Sequence, residues 1–228
     1  MNKITTRFMK PGIVWLEFES QYWMCSTFMR MQEFYESPLP GFRGNYFTAE
    51  KFMDAYASSK GGRFNYFSEW GGFNVPGHVV MDFISKFNDL SEKERIFIDE
   101  IHNSLPGDLG HHFYVIGTVR KPVRGSPLVD VPTEAFRHEI AHALYYLDPE
   151  YKRDIDVLLN GLSRPLVENM DTYHRECGYD EAFFQDEIQA TLIEGGEGFE
   201  SYFEFPPPEN INEFKERFEK ATTFYGIN

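Results

Sequence analysis

The sequence predicts an α+β fold, with a small mixed sheet drawn from its first half and a mainly helical second half. Three observations predict it. Short runs rich in β-branched and aromatic residues fall before residue 120, at 13–18, 63–70 and 113–119. Helix start and stop signals crowd the chain after residue 130. Of the 228 residues, 42% are hydrophobic and 17% aromatic, enough to build a large core and far too much for a disordered chain. No shift of composition marks a boundary, so one domain over 1–228 is expected, with an N-terminal subdomain at 1–90 as its only expected division.

Taken in order, residues 13–18 read as a strand, and Pro38, Pro40, Gly41 and Gly44 mark a turn-rich segment after it. Thr48 is placed to cap a helix over 48–57. Residues 63–70 alternate like a strand, and the Gly71-Gly72 and Pro76-Gly77 pairs then read as a loop. Ser91 and Glu94 have the capping-box spacing and open a helix to about residue 103. Residues 113–119 form the next strand, bounded by Gly107, Asp108 and Gly110 before and Lys121-Pro122 after. Thr133 and Glu134 open a helix that runs to Leu147 and stops at Asp148-Pro149, because proline pushes its predecessor out of helical geometry. A helix over 150–160 stops at Asn160-Gly161. Asp180 caps another that reaches Glu194 and closes at Gly195-Gly196. The acidic stretch 195–200 reads as a solvated loop. Pro206-Pro207-Pro208 is a rigid spacer, and a last amphipathic helix covers 210–224.

The net charge is −14. Such a surface repels phosphate backbones, so nucleic-acid binding is not expected. The charge reads first as a device for solubility, and second as a preference for basic substrates or partners. Two cysteines, Cys25 and Cys177, suit free thiols in a reducing compartment better than a disulfide framework. Charged residues interrupt the N-terminal segment where a signal peptide needs an apolar core, and no window is long enough for a membrane span. A cytoplasmic protein without membrane contact is therefore expected.

The chemistry concentrates in His138-Glu139-Ile140-Ala141-His142, an HExxH sequence. On a helix, residues four apart share a face, so both imidazoles can reach one ion while Glu139 stands beside its open position. Neutral imidazoles suit zinc. Zinc lowers the pKa of a coordinated water, whose proton Glu139 can take. The variable positions are uncharged, and two histidines and a glutamate on so apolar a helix would be costly without a shared partner.

A third ligand must come from elsewhere. Asp148 stands where one group of zinc peptidases places it, but Tyr145 replaces the glycine that would turn the chain there. The better candidate is Glu187, whose helix neighbours Phe183, Phe184, Ala190 and Thr191 make an apolar stripe around it. The competing reading is a stripe-edge Glu with a buried stem and a solvated head. Glu168, Glu176 and Glu194 are weaker, each in a loop-like or helix-end context. The adjacent His111-His112 pair reads as solvated, because neighbours on a strand point to opposite faces. His78 and His102 have no partner nearby in sequence.

With an HExxH and a Glu on a later helix, residues 133–194 resemble the gluzincin clan of zinc metallopeptidases. The 45 residues from His142 to Glu187 are similar to the longer connections within that clan. The resemblance implies a zincin-like fold with the sheet over the HExxH helix. It implies one Zn2+ held by His138, His142 and Glu187, Glu139 as general base, and a peptide or protein substrate. It also implies that Asp186 supports a ligating His, and that a Tyr or His binds the developing oxyanion. Tyr179 is the first choice, among Tyr173, His174 and Arg175. An edge strand at 113–119 would hold extended substrate. Two alternatives stand beside the metallopeptidase: a zincin-fold binding or regulatory protein with a non-catalytic metal site, and a metal-dependent hydrolase of non-peptide amides or esters. Residues 1–110 carry no resemblance, and the oligomeric state is not legible.

Overall fold

Ile13, Val14, Leu16 and Phe18 are fully buried, and the strand that carries them, β2 (Ile13–Phe18), is an inner strand of a four-stranded sheet. The computed structural model describes residues 4–107, 110–120, 134–194 and 206–227. The chain divides into two compact units, Met1–Val131 and Pro132–Asn228.

In the first unit the sheet order is β1-β2-β4-β3, with β1 (Ile4–Met9), β3 (Gly72–Pro76) and β4 (Tyr114–Val119). β1 runs antiparallel to β2, β2 parallel to β4, and β3 antiparallel to β4. The parallel pair needs a long crossover, and the chain supplies one as α1 (Gln21–Glu36), α2 (Ala49–Ser59), α3 (Tyr66–Glu69), α4 (Gly77–Lys86) and α5 (Glu92–Ser104). α1 packs on β2, β3 and β4. Its Phe28 lies so close over Gly117 of β4 that a Cβ there would stand 2.5 Å from the ring. Phe28 also stacks on Phe73 at 5.2 Å and meets Phe97 edge-on at 5.0 Å. The phenylalanine abundance is thus largely an aromatic core. Arg30, buried on α1, is clamped by Glu94 at 2.8 and 2.6 Å and by Asp89 at 3.0 Å, tying α1 to the start of α5. The expected division near residue 90 falls inside this network, well within the first unit.

Several expectations are met. β2 and β4 lie where the apolar runs place them, Thr48 caps α2, and Ser91 with Glu94 closes the capping box of α5. Others are corrected. Residues 63–70 are not a strand: Tyr66 packs on Phe52 and Phe73, and 66–69 turn helically. The strand lies just beyond, as β3, where a glycine and proline loop is expected. Phe73 and Val75 are buried there, and Asn74 accepts a hydrogen bond from the Tyr114 hydroxyl at 2.5 Å. β3 can contain Pro76 because it is an edge strand. For the same reason 113–119 offers no edge to a substrate: β4 is flanked by β2 and β3. α1 and α4 are missed by the sequence reading, and so is β1.

The second unit contains helices and no strand among the described residues: α6 (Glu134–Leu147), α7 (Pro149–Asn160), α8 (Arg164–Cys177), α9 (Phe184–Glu194) and α10 (Ile211–Tyr225). α6 packs chiefly on α9, and α10 on α7 and α9. Asp148 ends α6 and caps α7 in one move, accepting from the N–H groups of Glu150 and Tyr151, while the Tyr225 hydroxyl donates to its other oxygen. Asp180 caps a short 3-10 turn that leads into α9. The start at Thr133, the stops at Lys121-Pro122 and Gly195-Gly196, Asp108 and the acidic stretch 195–200 lie outside the described residues. No helix among the described residues is long and apolar enough to cross a membrane.

Candidate metal centre

α6 turns the motif's spacing into geometry. His138 and His142, one turn apart, meet edge to face with ring centroids 4.8 Å apart. Their Nε2 atoms stand 3.1 Å from each other. α9 brings Glu187 against them: Oε2 lies 3.6 Å from His138 Nε2, and Oε1 lies 3.6 Å from His142 Nε2. His142 and Glu187 are buried, while His138 keeps one edge in solvent. Among the described residues these three form the one group of His, Cys, Asp and Glu whose ligand atoms converge as a metal site requires.

The distances fit a cation. Tetrahedral zinc with Zn–N bonds of ~2.05 Å separates its ligand atoms by about 3.3 Å, which the observed 3.1 and 3.6 Å bracket. The outer nitrogens fit as well. Glu194 Oε2 lies 3.1 Å from His138 Nδ1. Asp186 Oδ1 lies 2.9 Å from His142 Nδ1, though off the line of the ring N–H. A carboxylate behind each imidazole holds the ring with Nε2 turned inward. Asp186 is itself held by Gln189, which donates to it at 3.0 Å, and Gln189 by the Tyr151 hydroxyl at 3.3 Å.

The electrostatics show the same demand for positive charge. Burial pushes the His142 imidazole down, but the Asp186 and Glu187 carboxylates more than offset it and carry it up to about 9. Burial likewise opposes protonation of His138, and Glu187 and Glu194 outweigh it. Glu187 is held below the usual carboxylate range: burial pushes it up, and the two histidines overcome that. Glu139 is buried next to His138, and its charge reaches that imidazole.

The structure brings His138, Glu139, His142, Asp186 and Glu187 together. Asp148 is occupied in capping α7. Glu168, exposed on α8, pairs with Arg164 at 2.7 Å, and Glu176 is exposed at the C-terminal end of α8, a helix-end context as expected. Arg175 pairs with Glu181 at 2.9 Å. Tyr173 and Tyr179 lay their rings against His174, at 5.5 and 5.9 Å. His111 and His112 are exposed at the turn before β4.

Two residues were undervalued in the sequence. Glu194 reads there as a weak ligand candidate at a helix end, yet it lies two turns beyond Glu187, on the same face of α9, and serves His138. His174, buried on α8, lies 3.3 Å from Thr191 Oγ1 by its Nε2. Its charge interacts with Glu187, His138 and His142, and burial lowers its pKa to about 4, so it is neutral at pH 7. The signals for α8 were present, with Pro165 in its first turn and Gly178 in the left-handed conformation at its end. Comparison with protein-family models, with curated proteins and with solved structures finds no match, so the site is read from its own geometry.

Proposed function

We propose that the chain is a zinc-dependent metallopeptidase of zincin-like fold, with Glu139 as general base and His138, His142 and Glu187 as the metal ligands. The single observation that carries this reading is the convergence of two Nε2 atoms and both oxygens of Glu187 within one metal-sized shell. Bound zinc supplies Lewis acidity toward a peptide carbonyl and lowers the pKa of water. Glu139 takes the proton from the attacking water and returns it to the leaving amine. Asp186 and Glu194 hold the two rings in place. Of the four residues considered for the oxyanion, His174 is within electrostatic reach of all three ligands, and Tyr179 packs on it. The two cysteines are free, Cys25 buried and Cys177 exposed, which suits the cytoplasmic setting of this reading.

A zincin-scaffold binding protein with a closed metal site is the second reading. It would need a fourth protein ligand, because a structural site takes four, whereas three side chains converge among the described residues. The solvent edge at His138 and Glu194 favours the first. The test is a metal-loaded Glu139→Gln variant beside wild type on a broad peptide library. The expected result is at least a ~100-fold loss of cleavage at unchanged metal content. A wild type that cleaves nothing the variant spares would overturn the peptidase reading.

A further inference from the structure

The two units differ sharply in charge. Residues 1–131 carry 14 Lys and Arg against 15 Asp and Glu. Residues 132–228 carry 8 against 21, so 13 of the 14 net negative charges belong to the unit that holds the metal centre.

At the centre itself, Glu139, Asp186, Glu187 and Glu194 place four carboxylates around the converging imidazoles. A bound divalent cation offsets two of those charges and leaves two. The net of 13 already counts the eight cations of this unit. Arg137, Lys152, Arg153, Arg164, Arg175 and Arg217 each sit in an ion pair with a carboxylate of the same unit.

We infer that the substrate of this centre is a basic polypeptide, rich in Lys or Arg near the bond that is cut. This rests on the peptidase reading above. A domain of ~100 residues has a radius of gyration of ~13 Å, and the Debye length at physiological salt is ~8 Å. At that salt the carboxylates nearest the site therefore dominate its field, and in dilute buffer, where the Debye length reaches ~30 Å at 0.01 M, charge spread over the whole unit is felt there too. A field of one sign raises the local concentration and on-rate of an oppositely charged partner by 10 to 10³, and repels a like-charged one. The excess around the metal ligands adds discrimination at the bond itself, because an acidic side chain brought there meets like charge in a partly buried setting.

The test uses three fluorescent peptides of equal length around one common core, flanked by lysines, by glutamates or by neutral residues. Binding to the full-length, zinc-loaded Glu139→Gln protein is read by anisotropy, and kcat/KM by wild-type cleavage. The lysine peptide is expected to bind, and to be cut, at least about tenfold better than the glutamate peptide in dilute buffer, with the advantage shrinking as salt rises. Replacing the exposed Glu176 and Glu216 by Gln is expected to lower lysine-peptide binding in dilute buffer and leave binding of the neutral peptide unchanged. Equal affinity for the lysine and glutamate peptides, or a preference that ignores salt, overturns the inference. Wild type that cuts none of the three, while the variant still selects the lysine peptide in a salt-dependent way, overturns the peptidase reading and upholds the basic partner.

Discussion

Glu194 holds the outer nitrogen of His138, Oε2 to Nδ1 at 3.1 Å, across 56 residues of chain. The contact joins the last turn of α9 to the middle of α6, and it does for His138 what Asp186 does for His142. Removing such support typically costs 10 to 100-fold in metal affinity, because the ring loses both its orientation and part of its basicity. Glu194→Gln is therefore expected to weaken zinc binding by one to two orders of magnitude with little change in the fold. Competition against a chromophoric chelator measures it. Undiminished affinity would remove Glu194 from the site.

Metal and stability are linked. An ion that binds the folded chain and not the unfolded one stabilises it by about 4 kcal/mol at a thousandfold excess over Kd. Zinc is expected to raise the unfolding temperature of wild type, and a chelator to reverse the rise. In Glu187→Gln the zinc-dependent rise should shrink or vanish, since the neutral amide no longer closes the shell. Calorimetry with and without zinc reads both arms. A full rise in the variant would place the ion elsewhere.

Glu33, buried on α1, makes the first unit sensitive to pH. Burial pushes its carboxyl from about 4.5 up to about 7, and the Ser37 and Tyr66 hydroxyls beside it offset only part of that. The folded chain therefore holds a proton that the unfolded chain releases. The associated stability is fully present below pH ~4.5 and is lost as pH rises through ~7, by at most about 3 kcal/mol. Glu33→Gln is expected to be the more stable protein at pH 8 and nearly equal to wild type at pH 4. Urea unfolding at the two pH values checks this, and a wild type that outlasts the variant at pH 8 would contradict it.

Gly117 and Phe28 form a matched pair. A Cβ at 117 would meet the Phe28 ring at 2.5 Å, and that ring is fully buried against Phe73 and Phe97. Gly117→Ala is expected to cost about 1–3 kcal/mol by overpacking, and Phe28→Ala about 3–5 kcal/mol by cavity formation. Combining Gly117→Ala with Phe28→Leu should recover part of the loss, since residues in contact couple. Strict additivity in a double-mutant cycle would mean the two do not share the space.

The features legible from sequence are local. The HExxH spacing puts two imidazoles on one face of α6 because an α-helix repeats every 3.6 residues. The capping box at Ser91 and Glu94, the Thr48 cap, the stop at Asp148 and the two inner strands β2 and β4 are likewise set by neighbours in the chain. Even the Glu187 side chain was legible as a carboxylate without a reason on an apolar stripe. Long-range packing settles what depends on residues far apart. It made a strand of 72–76 and a helical turn of 66–69, because burial of Phe73, Val75 and Tyr66 overrides the punctuation of glycine and proline. It made β4 an inner strand, since strand order follows from pairing, which no local pattern encodes. At the metal centre it set the 3.6 Å approach of Glu187 and brought Glu194 and His174 to the ligands. The helix period declares which side chains share a face, and only the packing of α6, α8 and α9 declares which faces meet.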